Sequence, residues 1–241
     1  MYQEIKPIHG LKDFVGSFWT YSGPGKAEQY KVLPDGCIDL IFNLSNHTTT
    51  LSGVMTRFAE RKLERGTDLI GIRFKTGRFK CFTNVFQREL KDLKIEADQI
   101  VPQLPADIND RLAEQVSIEA KIDVLQDIIY KLVVDSKQQE DVLMLSIVDK
   151  IRFEGNIGSI SSLAKSHCIS PRQLERRFKT CTGLTVKEFT RIVRFNSARS
   201  LIRECHEKNL LEIAFDLGFY DHAHLTNEFN RLSGENPSYF R

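Results

Sequence analysis

Much that would announce a chemistry is missing from this 241-residue sequence. Its five cysteines, Cys37, Cys81, Cys168, Cys181 and Cys205, are odd in number and contain no CxxC pair, which excludes a disulfide framework and a structural zinc cluster. Histidine is scarce. His9 and His47 are the only ones in the front half, too few for a multi-histidine metal site, and His206, His222 and His224 have no carboxylate or cysteine partner at ligand spacing. No metal and no cofactor is therefore expected. No stretch approaches the ~18 consecutive apolar residues that span a bilayer, so no membrane partner is expected. The first residues, Met1 to Pro7, carry an acid and no apolar run, unlike a secretory signal, and the default setting is a reducing cytoplasm.

What is present divides along the chain. Nine of the fourteen glycines (Gly10, Gly16, Gly23, Gly25, Gly36, Gly53, Gly66, Gly71 and Gly77) fall in the first third, a punctuation that suits short strands and tight turns. Val32 to Leu44 reads as a Pro-Asp-Gly turn feeding a β-branched apolar strand, and Leu69 to Phe74 as a second strand. Beyond Phe79 the character changes; Pro102 and Pro105 mark a loop, and Ile122, Leu125, Ile128, Ile129, Leu132 and Val133 recur at helical spacing. The polar stretch Asp135 to Asp141 is the best linker, followed by a helix from about Val142 that ends before Gly155-Asn-Ile-Gly158. The fold class expected is a β-rich N-terminal domain followed by an all-α domain, α+β over the whole chain. The boundaries expected are 1–105 for the β-rich part, 106–138 for a helical connector, and 139–241 for the helical domain.

Charge separates the back half further. Residues 155–205 hold ten basic residues against three acidic ones, whereas 206–241 hold three against six. A basic block inside a chain of net charge +2 is a nucleic-acid footprint that the average conceals.

Two segments in this region repeat one design. Ser170-Pro-Arg-Gln-Leu-Glu-Arg-Arg-Phe-Lys179 and Asp221-His-Ala-His-Leu-Thr-Asn-Glu-Phe-Asn230 each open on a helix-capping side chain. Pro171 takes the first helical position and Gln173 completes a capping box. The pairs Leu174/Phe178 and Leu225/Phe229 define buried faces. At 100° per residue the opposite face is Arg172, Glu175, Arg176 and Lys179 in the first copy, and Ala223, Thr226, Asn227 and Asn230 in the second. Such side chains read base edges: Arg on guanine, Asn on adenine, Glu on cytosine, Thr or Ala on the thymine methyl. Short supporting helices precede both copies, Ile160 to His167 and Leu211 to Leu217, with small Ala164 and Ala214 at the close approach. Between the copies a long helix opens on the capping box Thr185 to Glu188, with Phe189, Ile192, Val193, Leu201 and Ile202 inward and Arg191, Arg194 and Arg199 largely outward.

This arrangement resembles the C-terminal DNA-binding domain of the AraC/XylS family of bacterial transcription regulators. The residues that carry the likeness are Leu163-Ala164, the block Ser170-Pro171, Leu174 and Arg176 to Lys179, Gly183, Ile213-Ala214, Leu217 to Phe219, Phe229 and Pro237 to Arg241. The resemblance implies two helix-turn-helix units, about 158–182 and 210–233, joined by a helix over about 185–203. It implies double-stranded promoter DNA as the partner, entered at successive major-groove segments. It places Arg172, Glu175 and Arg176, then His222, Ala223, Thr226 and Asn227, against bases. Lys179, Arg191, Arg194 and Asn230 are the expected phosphate contacts. A non-enzymatic, cytoplasmic transcription regulator follows as the expectation, an activator meeting RNA polymerase, with a homodimer as one assembly.

The front domain is similar to the small β-rich sensor modules that precede such DNA-binding domains, through Leu33 to Asn43 and Ile70 to Phe74. That likeness implies an effector, a small molecule or a protein, without naming it. Trp19, Cys37 and Arg73 are the candidate ligand residues. Trp19 and Cys37 read as core or pocket, and Arg73 as an anchor for an anion or an outward strand residue. A DNA-repair alkyltransferase fused to the same DNA-binding domain is the enzymatic alternative; it needs a cysteine zinc cluster for its acceptor site, and the front domain has only Cys37 and Cys81.

Overall fold

The computed structural model describes residues 1–23, 27–136, 138–155 and 157–241. Gly25, residue 137 of the expected linker and residue 156 of the Gly155–Gly158 segment lie outside the described residues.

The described strands come first: β1 (Tyr2–Ile5), β2 (Val15–Ser22), β3 (Glu28–Val32), β4 (Ile38–Asn43), β5 (Thr48–Ser52), β6 (Ala59–Leu63), β7 (Asp68–Phe74) and β8 (Lys94–Glu96). Six of them form one antiparallel sheet in the order β1-β2-β7-β4-β5-β8, while β3 and β6 pair as a separate ribbon. In β4 and β7 the side-chain period of two sorts the faces. Ile38, Leu40 and Phe42 pair in register with Phe74, Ile72 and Ile70, all essentially buried, and Asp39 and Arg73 face each other on the opposite side. Both of these strands match the sequence reading. Strand β2 does not appear in it, because an irregularity between Val15 and Ser17 breaks the alternation that a strand signal needs. The ribbon strands are too polar to show any.

Two glycines fix close approaches. A Cβ on Gly71 would stand 2.1 Å from the Trp19 indole, so the only tryptophan packs against the one position of β7 that has no side chain. Gly36, at φ +78°, completes the Pro-Asp-Gly turn, where a Cβ would meet the Phe189 ring at 2.8 Å.

The helices follow: α1 (Ile108–Ala113), α2 (Ile118–Asp135), α3 (Val142–Glu154), α4 (Ile160–Ser166), α5 (Pro171–Thr182), α6 (Val186–Glu204), α7 (Leu210–Asp216) and α8 (His222–Ser233). Helix α3 is capped by Asp141, whose carboxylate accepts from the Met144 N–H at 3.2 Å, and ends at Gly155. The apolar residues of sheet and helices form one cluster that runs from Leu11 to Leu232. It crosses between the halves where Gly77 meets Leu145 and Cys181, where Gly183 meets Val54, and where Gly36 meets Phe189.

Candidate nucleic-acid interface and interdomain chamber

The two helix-turn-helix units are built by the same local chemistry. In the first, the Ile169 N–H donates to the Ala164 carbonyl at 3.1 Å, and Cys168 takes the left-handed turn at φ 55°. In the second, the Phe219 N–H donates to the Ala214 carbonyl at 2.8 Å, and Gly218 takes the turn at φ 70°. The second turn is one residue longer: Tyr220 is inserted, 84% exposed, and its N–H reaches His224 Nδ1 at 3.2 Å.

Helix α5 opens on the full capping box of Ser170 and Gln173 and closes at Gly183, φ 79°. Helix α8 opens on Asp221, which accepts from the His224 N–H at 2.7 Å, and closes at Gly234, φ 71°. At the C-terminal end of each, a buried hydroxyl performs the same double duty. Thr182 donates to the Phe178 carbonyl and accepts from the Leu184 N–H; Ser233 donates to the Phe229 carbonyl and accepts from the Glu235 N–H. A third capping box, Asn209 with Glu212, starts α7. The Asn-x-x-Glu spacing carries that signal in the sequence.

Leu174, Phe178, Leu225 and Phe229 are fully buried, so the opposite faces are fixed by geometry. Arg172, Arg176 and Lys179 are exposed on α5, with Glu175 half-buried beside them, and none of the three cations has an ion-pair or hydrogen-bond partner among the described residues. On α8, His222, Ala223, Asn227 and Asn230 are exposed, and Thr226 is half-buried with its hydroxyl turned back to the His222 carbonyl at 2.9 Å. Arg176 also borders a cleft of about 170 Å³ formed with Gly77, Arg78 and Gln138 to Asp141.

The middle helix departs from expectation. Arg191 is ion-paired to Glu228 of α8 at 2.7 Å. The Arg194 guanidinium donates to the carbonyls of Leu217 and Gly218, at 3.0 and 2.6 Å, and stacks on the Phe219 ring at 4.1 Å. Its charge satisfies the open C-terminal carbonyls of α7, which a helix end always leaves. Neither side chain is the free outward cation that the sequence suggested. Arg199 is not directed into bulk solvent either, because the N-terminal domain covers that side of α6.

The covered side contains the second site. One face of the six-stranded sheet packs on the apolar core. The other face, carrying Trp19, Tyr21, Asp39, Ile41 and Arg73, is roofed by the β3–β6 ribbon and by Asn196 and Arg199 of α6. The half-open chamber between them is about 500 Å³. Trp19 and Arg73 line it; Cys37 does not and sits instead near Arg152 of α3, whose guanidinium lies 3.7 Å from its sulfur. Arg73 is fully committed: its guanidinium pairs with Glu4 at 3.0 Å and with Asp35 and Asp39 at 3.2 Å. That corrects its reading as a free anion anchor, and as an outward strand residue too. Burial pushes the Asp39 carboxyl up to about 6, against the pull of Arg73 and of the Trp19 N–H that donates to it.

The seam beside the chamber is held by polar ties. Lys91 bonds Glu188 at 2.6 Å, Asn196 donates to the Pro34 carbonyl at 2.8 Å, Arg152 donates to Thr76 at 2.5 Å, and Lys31 pairs with Glu235. Arg177 grips Asp141 with two hydrogen bonds, 2.6 and 2.9 Å, and this pairing holds the Asp141 carboxyl below the usual range. Gln87, buried where its backbone meets Gly183, has neither end of its amide bonded among the described residues.

Residues 163–241 match the family model described as a helix-turn-helix domain, and residues 3–96 match one described as a domain of unknown function, DUF6597. Among characterised proteins, the transcriptional regulator MtrA of Neisseria gonorrhoeae is 29% identical over 99 residues, 41% of this chain and 32% of that protein. The transcriptional activator RhaS of Escherichia fergusonii is 34% identical over 83 residues, 34% of this chain and 30% of that protein. The matched stretch thus spans about a third or less of the length of these relatives. Among solved structures, ToxT of Vibrio cholerae superposes with a TM-score of 0.47 at 14% identity, covering 92% of this chain and 96% of that one. The C-terminal part is an AraC-type helix-turn-helix domain, and a β-rich N-terminal domain precedes it.

Proposed function

We propose that this chain, premised on its AraC-type helix-turn-helix domain, is a transcription regulator that binds promoter DNA through α5 and α8 and answers to an effector held in the interdomain chamber. One observation carries the first half: two recognition helices share an N-capping side chain, a closing glycine and the same buried pair, and each presents base-reading side chains on its free face. Arg172, Glu175 and Arg176 are the base contacts of the first helix, and His222, Ala223, Thr226 and Asn227 those of the second. Lys179 and Asn230 meet phosphates, while Arg191 and Arg194 position the second unit.

A half-open space of this volume, walled by aromatic rings among many charged and polar side chains, suits a small molecule better than a protein surface. The alkyltransferase alternative is disfavoured by the thiols themselves. Burial pushes Cys37 and Cys81 up to about 12, the opposite of an activated acceptor. The reading extends to a cytoplasmic activator that contacts RNA polymerase, either as a monomer or as a homodimer.

Selection of bound fragments from a random DNA pool tests it. Enrichment of a site with two conserved segments about 10 base pairs apart is expected. Recovery of no enriched sequence would overturn the assignment.

A further inference from the structure

A single loop of the front domain touches the closing end of both recognition helices. It runs from Gly53 to Phe58, between β5 and β6. Gly183 closes α5, and a Cβ there would stand 2.9 Å from Val54 Cγ2. Gly234 closes α8 at the corresponding position, and a Cβ there would stand 2.8 Å from the Phe58 ring. Val54 and Phe58 are four residues apart, at most roughly 14 Å of extended chain. The two helix ends therefore converge on one short piece of backbone. That piece is built stiff. The Gly53 N–H donates to the Leu93 carbonyl at 2.9 Å, and the Asp92 N–H donates to the Val54 carbonyl at 2.8 Å. The Asp92 carboxylate, on a residue held at φ 59°, accepts from the Thr56 N–H at 2.6 Å and from its hydroxyl at 2.7 Å. Val54 is buried, and the Lys31 ammonium lies 5.0 Å from the centre of the Phe58 ring while it pairs with Glu235, the residue after Gly234.

We infer that the loop from Gly53 to Phe58 is a brace that fixes the spacing and rotational phase of the two DNA readers, with Val54 and Phe58 as its positioning residues. This deepens the DNA-binding reading above and rests on it. Helices that enter successive major-groove segments must match the repeat of the duplex. One added base pair moves the second segment by about 3.4 Å and turns it by about 35°. α6 joins the two units through the chain, and the loop joins their ends through space. A pair of readers held by α6, Val54 and Phe58 together cannot follow such a shift, whereas a pair held by α6 alone follows it at less cost. The front domain thereby contributes to the choice of site through the spacing it imposes.

Anisotropy titrations of the full chain test it, on the selected DNA site and on copies whose central spacer is one base pair longer or shorter. The unsubstituted protein is expected to lose about tenfold or more on each altered spacer. Phe58→Ala and Val54→Ala should shrink that penalty to about threefold or less, with the base preferences inside each segment unchanged. Lys31→Met releases Phe58 and Glu235 from an exposed position and should act in the same direction, so it serves if the buried Val54→Ala fails to fold. Phe153→Ala, exposed on α3, should leave the penalty intact. A penalty unchanged in both Phe58→Ala and Lys31→Met, each shown folded by urea melts, would overturn the brace and leave α6 alone to set the spacing. A penalty lowered equally in Phe153→Ala, or an unsubstituted protein that accepts every spacer, would overturn it as well. Recovery of no enriched site would remove the DNA-binding reading and the brace with it.

Discussion

The two helix-turn-helix units share a back and differ in front. Residue for residue, Leu174, Phe178, Thr182 and Gly183 correspond to Leu225, Phe229, Ser233 and Gly234, and both sets make the same contacts. On the free faces, Arg172, Arg176 and Lys179 correspond to Ala223, Asn227 and Asn230. Even the locking ion pair is reversed in sign. Arg177 of α5 is tied to Asp141 ahead of α3, and Glu228, its counterpart on α8, to Arg191 of α6. The fold of such a unit is set by one stripe of its recognition helix and leaves the opposite stripe unconstrained. Repetition therefore preserved the scaffold while the readers diverged. The first unit has the cations that attract phosphate and guanine; the second is acidic around a small polar face and is steered by arginines of its neighbour.

The largest effect that would break this asymmetry is on DNA affinity. Arg176→Ala should cost roughly 1–3 kcal/mol on the selected site and relax preference at one base pair, while Asn227→Ala should stay near the lower end, about 1 kcal/mol. Fluorescence anisotropy titrations would read both, and equal losses would erase the distinction between leading and refining reader. Next in size is Arg194→Met. A hydrogen bond from a charged group contributes about 1.5–3 kcal/mol when well buried, and Arg194 is only half-buried, so a stability loss of about 1–2 kcal/mol is expected in urea melts. The slope of affinity against salt should not move. A slope reduced by about one with stability unchanged would return Arg194 to the phosphate contacts.

The smallest effect concerns pH. Burial raises Glu188, but hydrogen bonds from Lys91 and Thr185 outweigh it and leave the carboxyl below its ordinary value of 4.5. A depressed acid contributes stability that is fully present above that value and is lost as pH falls through the lowered one. The melting temperature of the unsubstituted protein should therefore exceed that of Glu188→Gln near about pH 7, with the gap closing below about pH 4. A gap independent of pH would mean that the Lys91 tie does not hold the first unit to the front domain.

How much of this was legible in the sequence follows from the range of each interaction. The caps and turns of α5, α6 and α8 lie within three or four residues of one another, and Ser170-Pro171 with Gln173 announces them outright. Strands β4 and β7 showed through because each is a short apolar run rich in isoleucine, β4 announced by the Pro-Asp-Gly turn. The chamber did not, since it depends on β8, the polar ribbon and α6 meeting across most of the chain. Helical phase correctly turned Arg194 and Arg199 away from the core of their own unit. It carried no information that α7 and the sheet wait there to receive them.

The apolar cluster shared by both halves has a consequence for descent. Regulators are readily imagined as a reader joined to an interchangeable sensor, inherited separately and recombined at a linker. Here the linker after α2 is a join only in the chain. Phe189 closes on Gly36, Leu145 and Cys181 on Gly77, and the turn after α5 on Val54. A recombined copy with a foreign sensor would inherit a reader lacking one wall.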